Sequence, residues 1–170
     1  MAGFSDGSFE TPVLPPGVVL QDFTTGEAIG PWTVTSGTVD LVGSSYFQPA
    51  QGTQSLDLNG HSPGAVSQTF TTTPGTTYVV TYALAGNPVC ATPTVRTGKV
   101  LIDGQDFQDF SFDITGKTTT NMGYVARQVS FVAVNTSTTL TFASTTPNTE
   151  CGPVIDNVTV CGQPAVPCGP

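Results

Sequence analysis

The sequence predicts an all-β fold, a sandwich or barrel of short strands, and three observations carry that prediction. Across the 170 residues no stretch holds apolar side chains at i, i+3, i+4 and i+7 over three turns, and the helix formers Lys, Glu and Leu are sparse. Apolar and polar residues alternate instead, the period of a half-buried strand. Gly, Pro, Asn and Ser recur between these segments, where turns need unusual or fixed φ angles.

Along the chain the candidate strands begin with Val18–Phe23, Trp32–Thr35, Val39–Val42, Ser55–Leu58 and Ala65–Thr72. The run T-T-Y-V-V-T-Y-A-L-A follows, with Tyr78, Val80, Tyr82 and Leu84 on one face. Next come Thr94–Asp103 and Phe107–Ile114, then R-Q-V-S-F-V-A-V with Val129 and Phe131 on a shared face. T-T-L-T-F-A-S pairs Leu140 with Phe142, and Val154–Val160 closes the series. Turns fall where expected: T-P-G-T at Thr73–Thr76 and I-D-G-Q at Ile102–Gln105 each place Gly where a positive φ is cheap. Strands at this spacing, roughly ten of them, mean a sandwich or barrel. There is no internal repeat and no linker, so one domain is expected over residues 1–162, followed by a Pro-rich tail over 163–170.

Composition narrows the function classes. Charged residues are 9% of the chain, against about a quarter in an average globular protein. The polar surface is therefore built of hydroxyls and amides. Four Lys+Arg against twelve Asp+Glu give a net charge of -8, which repels phosphate backbones, so no nucleic-acid partner is expected. No apolar run approaches the roughly twenty residues of a membrane-spanning helix, so no membrane insertion is expected. Met1-Ala2-Gly3-Phe4 lacks the basic flank and apolar stretch of a signal peptide, which is expected to have been removed. Cys90, Cys151, Cys161 and Cys168 form an even set without the short pair spacing of a zinc ribbon, so they read as structural disulfides of an exported protein.

The strongest enzyme-like motif is G-H-S-P-G at Gly60–Gly64, which matches the G-x-S-x-G nucleophile elbow. A triad needs a histidine from a separate element, and the one histidine, His61, adjoins Ser62. A turn between two strands is the better reading. Two carboxylates at a suitable separation would support acid/base hydrolysis, which only a structure can show. Asp103, Asp106, Asp109 and Asp113 lack the order of a calcium loop and read as a solvated strand edge. Sugar recognition needs planar acids and amides to read hydroxyls and an aromatic face to stack on a ring. Asp40, Asn59, Asn87, Arg96 and Gln128 are candidates for the first role; Trp32, Tyr46, Phe47 and Tyr124 for the second. Taken singly each reads better as structural: Trp32 in P-W-T-V as a core plug, and Asn59 before Gly60 as a turn residue.

A further set of segments runs from the first residues to the last strand: G-S-F-E at Gly7–Glu10, G-T-V-D-L-V at Gly37–Val42, G-T-Q-S-L-D-L-N-G at Gly52–Gly60, G-A-V-S-Q-T-F at Gly64–Phe70 and C-G-P-V-I-D-N-V at Cys151–Val158. In these the chain resembles the bacterial choice-of-anchor C domains and the plant cell-wall proteins of unknown function related to them. The resemblance implies a galactose-binding-like jelly roll, export to the cell surface or matrix, and association with extracellular polysaccharide. It also implies a structural calcium where first and last strands meet, at Glu10 and Asp156, which read otherwise as hydrogen-bonding acids. Where related sequences begin N-G-S-F-E this one has Asp6.

The plant relatives carry cysteines at the places of Cys90 and Cys151, which implies that these pair and leaves Cys161 with Cys168. The leading functional expectation is a noncatalytic polysaccharide-binding module. The alternative is a structural subunit that packs against copies of itself or another surface protein, with an enzyme third.

Overall fold

A computed structural model describes residues 2–147, 149–163 and 168. The Pro-rich tail, apart from Gln163 and Cys168, lies outside the described residues. The described residues form twelve strands and no helix. One six-stranded sheet has the order β1 (Leu20–Thr24), β4 (Thr38–Gly43), β5 (Gln54–Asp57), β12 (Pro153–Gln163), β7 (Thr77–Gly86), β10 (Val125–Val132). The other has β2 (Ala28–Ile29), β3 (Trp32–Ser36), β6 (Ala65–Thr71), β11 (Ser137–Ser144), β8 (Val95–Ile102), β9 (Gln105–Asp113). Neighbouring strands run antiparallel, and the two sheets pack as the expected jelly-roll sandwich. Every strand of the sequence reading has a counterpart, and only the two-residue β2 escaped it, too short to show a period.

Alternation puts the apolar half of each strand between the sheets. Tyr78, Val80, Tyr82 and Leu84 of β7 are buried, as are Leu140 and Phe142 of β11. Trp32 is a core residue with no exposure; its indole N–H donates to the Asp6 carbonyl at 2.9 Å, and Phe4, Phe9 and Phe142 surround the ring. This removes it from the sugar-stacking candidates. The I-D-G-Q turn joins β8 to β9 with φ of 50° at Asp103 and 79° at Gly104, the paired positive angles a two-residue hairpin demands. G-H-S-P-G lies in the connection from β5 to β6, a strand-to-strand link with no helix for a nucleophile elbow.

Three features position the site. Two loops, 44–53 and 114–124, meet over the outer face of the first sheet. Gln48 joins them: its N–H donates to the Thr119 carbonyl (2.8 Å), while its side-chain oxygen accepts from the Met122 N–H (3.0 Å). Phe47 and Met122 are buried beneath. At one end of the sandwich the 87–94 and 145–152 loops are tied by the Cys90–Cys151 disulfide, with Cα atoms 5.9 Å apart. The Cys161–Cys168 disulfide, Cα atoms 4.1 Å apart, anchors the other described end of β12, so both pairings are as expected.

Candidate functional site

Register creates the site. On the outer face of the first sheet Asp22 pairs with Asp40, and Asp40 with Asp57, so three acids stand side by side on β1, β4 and β5. Like charges directly opposite destabilise a sheet, so such a row calls for a compensating arrangement. For Asp57, which is 1% exposed, the compensation is a full set of donors. Its Oδ1 accepts the N–H groups of Asn59 (2.9 Å) and Gly152 (3.1 Å), and its Oδ2 accepts Asn87 Nδ2 (2.8 Å). Burial nonetheless dominates and raises its pKa to about 8. Asp40 is raised to about 7, by burial first and then by the hydrogen bond and charge of Asp22. Both acids therefore favour the protonated form more than an ordinary carboxylate does.

Above the row lies a cavity of about 150 Å³. Asp40, Asp57, Asn87 and Glu150 form its polar side, and Leu20, Val42, Tyr46, Phe47, Val89 and the Cys90–Cys151 disulfide its apolar side. Tyr46 stacks on Phe47 with ring centroids 4.9 Å apart. Exposed His61 has Nδ1 3.4 Å from Glu150 Oε1 and Nε2 4.0 Å from Asp22 Oδ2. The contact with Glu150, and then the charge of Asp22, raise its pKa.

Recognition by hydrogen bonds is chemistry that this group can supply. Asp22 and Asp40 touch, which leaves no room between them for the bond that a glycosidase pair must flank at about 5 Å or more. Asp57 is spent on three N–H donors.

Of the nine sugar-contact candidates, the structure brings together Asp40, Tyr46, Phe47 and Asn87. Asn87 is a wall, since both ends of its amide are occupied, by Asp57 and by the Val89 N–H (3.0 Å). Asn59 and Arg96 have no solvent exposure and do not face a ligand. Asn59 donates to the carbonyls of Thr146 and Thr149, and Arg96 to those of Asn87 and Cys90, so both fix the loops that frame the cavity. Tyr124 lines a different hollow, with Ala83, Ala126 and Asn157, and donates its hydroxyl to the Gln48 carbonyl at 2.9 Å. Gln128, on edge strand β10, lends its carbonyl to Gln108 Nε2. Asp57, Glu150, Asp22 and His61 were not singled out as ligand groups, because strand register brings Asp22 and Asp57 to Asp40 and loop placement brings Glu150 and His61 to them.

Glu10 and Asp156 act on the same short loop. Glu10 accepts the Thr53 N–H and hydroxyl and the Gln54 N–H; Asp156 accepts the N–H groups of Ala50, Gln51 and Asn157. That shell consists of donors, which complement a carboxylate, whereas calcium asks for six to eight converging oxygens. Among the described residues no three His, Cys, Asp or Glu side chains group as metal ligands. The two acids fit the loop-capping role better than a calcium cage. Burial raises the pKa of Asp156 to about 7. Asp6 adds the same kind of cap, taking the N–H groups of Glu10 and Thr11.

Comparison with known proteins agrees with this architecture. The family model described as a protein of unknown function, DUF642, matches residues 2–161. The chain is 36% identical over 135 residues to halomucin of Haloquadratum walsbyi, covering 78% of this chain and 1% of that protein. It is 27% identical over 170 residues to the Arabidopsis thaliana protein DUF642 L-GALACTONO-1,4-LACTONE-RESPONSIVE GENE 2, covering 92% of this chain and 43% of that protein. The chain thus spans less than half the length of either relative. Among solved structures, TmCBM61 in complex with β-1,4-galactotriose aligns with a TM-score of 0.56 at 19% identity, over 96% of this chain and 99% of that one. The CBM22-1 xylan-binding domain of Paenibacillus barcinonensis Xyn10C gives 0.52 at 16%, over 98% and 100%. A family 35 carbohydrate-binding module from an environmental isolate gives 0.53 at 14%, over 73% and 84%. At these identities the likeness shows the fold, a jelly-roll β-sandwich.

Proposed function

Given that the chain belongs to the DUF642 family, we propose that it is a noncatalytic carbohydrate-binding module whose cavity holds a sugar unit of an extracellular polysaccharide. The observation that carries the reading is the cavity itself. A stacked aromatic and aliphatic wall faces carboxyl groups across a space on the scale of one sugar ring. Carboxyls read pairs of hydroxyls, and the wall takes the C–H face of a ring. Jelly-roll neighbours, one in complex with galactotriose and one a xylan-binding domain, support the assignment, as do two disulfides for an oxidising, extracellular compartment.

A glycan array followed by calorimetry tests it. Asp40→Ala and Tyr46→Ala are each expected to weaken binding at least tenfold while the circular dichroism spectrum stays unchanged. Full affinity in both variants would remove the cavity from the function.

A further inference from the structure

Tyr46 is a wall of two cavities. On one side is the acid-lined space above Asp40. On the other is a hollow of about 300 Å³ between the 44–53 and 114–124 loops, lined by Ser44, Ser45, Gln48, Thr119 and Thr120. We propose that this second hollow is a sugar subsite, so that the protein recognises an uncharged oligosaccharide whose neighbouring units lie on either side of Tyr46. The inference rests on the carbohydrate-binding reading and names the ligand class.

Three features support it. No charged side chain lines the hollow, where Tyr46 and Pro49 give an apolar surface beside the hydroxyls and the Gln48 amide, and among the described residues the hydroxyls of Ser44, Ser45 and Thr119 have no partner in the protein. A hydroxyl both donates and accepts, which matches the hydroxyls of a sugar. The walls are held in place: Gln48 bonds to Thr119 and Met122, Tyr124 donates to the Gln48 carbonyl, and Thr118 and Asn121 exchange backbone hydrogen bonds at 3.1 Å. A prebuilt wall spares the ligand the ordering of two loops. Finally, no Lys or Arg lines either cavity, whereas Asp40, Asp57 and Glu150 line the first. The buried Arg96 gives its Nε and Nη2 to loop carbonyls. A uronate carboxylate would enter among acids with no Lys or Arg to pair it, and the exposed His61 beside them is already in contact with Glu150 at 3.4 Å.

The test is titration of the full chain, by NMR and calorimetry, with neutral β-1,4-linked galacto- and xylo-oligosaccharides of one to four units and oligogalacturonates of the same lengths. At least one neutral series is expected to bind at least tenfold tighter at three units than at one, and the uronates at least tenfold weaker than that trimer. The double variant Ser45→Ala, Thr119→Val should reduce the trimer to the affinity of the single unit and leave the single unit unchanged. Affinity independent of length, or a preference for uronates, would overturn the proposal while leaving carbohydrate binding intact. Absence of binding to any saccharide would overturn both.

Discussion

Arg96 carries a guanidinium with no solvent exposure, a state offset by the hydrogen bonds of Nε and Nη2, while Nη1 is left without a partner. Nε and Nη2 reach the Asn87 carbonyl at 3.2 and 2.6 Å, Nη2 also reaches the Cys90 carbonyl at 2.7 Å, and burial lowers its pKa. Arg96→Met would keep the aliphatic stem and leave two buried carbonyls bare, at about 1–3 kcal/mol for each unpaired group. A fall of about 3 kcal/mol in urea-unfolding stability is expected, together with weaker glycan binding, because the loop that walls the cavity loses its support. An unchanged urea midpoint would contradict that role. The same residue shows why the candidate site was only partly legible in sequence. Composition supplies the residue types that read sugars, but Arg96 and Asn59 point inward to carbonyls, and their neighbours in sequence do not reveal it. Glu10 and Asp156 were legible as partners at the junction of the termini; the amide N–H groups that surround them were not. With those donors in place, EDTA is expected to leave the melting temperature unchanged, and a drop on chelation, restored by Ca2+, would put a cation there.

At the scale of elements, β5 and the loops it holds explain why the site stays formed. Gln54 Nε2 donates to the carbonyls of Phe9 and Pro12, Asp57 takes N–H groups from Gly152 and Asn59, and Asn59 holds the 145–152 loop. The segment G-T-Q-S-L-D-L-N-G thus ties the chain's first residues to the start of its last strand. Alternating patterns exposed the strands because burial on one face leaves its mark in sequence. The pairing of β1 with β4 and β5, which sets three acids in a row, leaves no such mark. The Cys90–Cys151 bridge secures the same end, closing a loop of 61 residues. Chain entropy puts that closure at about 4 kcal/mol, against about 2 kcal/mol for the short Cys161 to Cys168 loop. Cys90→Ala with Cys151→Ala is therefore expected to lower stability by more than Cys161→Ala with Cys168→Ala, and to weaken glycan binding as well. Equal losses, measured by urea unfolding, would place the cavity's rigidity elsewhere.

The whole molecule is built to prefer protons. Asp40 and Asp156 titrate near 7 and Asp57 near 8, all from an ordinary 3.8, with burial the first cause in each. Between those values the folded chain holds protons that the unfolded chain releases, so each acid stabilises the fold fully below about pH 4 and loses that contribution as pH rises towards 7 or 8. His61 and Asp6, also raised, push the same way. Asp113, lowered by its Thr115 hydrogen bonds, acts oppositely, but below the usual carboxylate range and so outside this window. The melting temperature is therefore expected to rise as pH falls from 8 to 5. The net charge of -8 gives a slope of the same sign, since acid reduces self-repulsion. Salt separates the two causes, because it screens exposed charges over about 10 Å at 0.1 M and buried ones far less. In 0.5 M NaCl the slope should persist, and Asp40→Asn should flatten its part between pH 5 and 7, by at most about 1.4 kcal/mol for each pH unit. If salt abolishes the slope, or Asp40→Asn leaves it intact, the buried acid row does not set the stability of this fold.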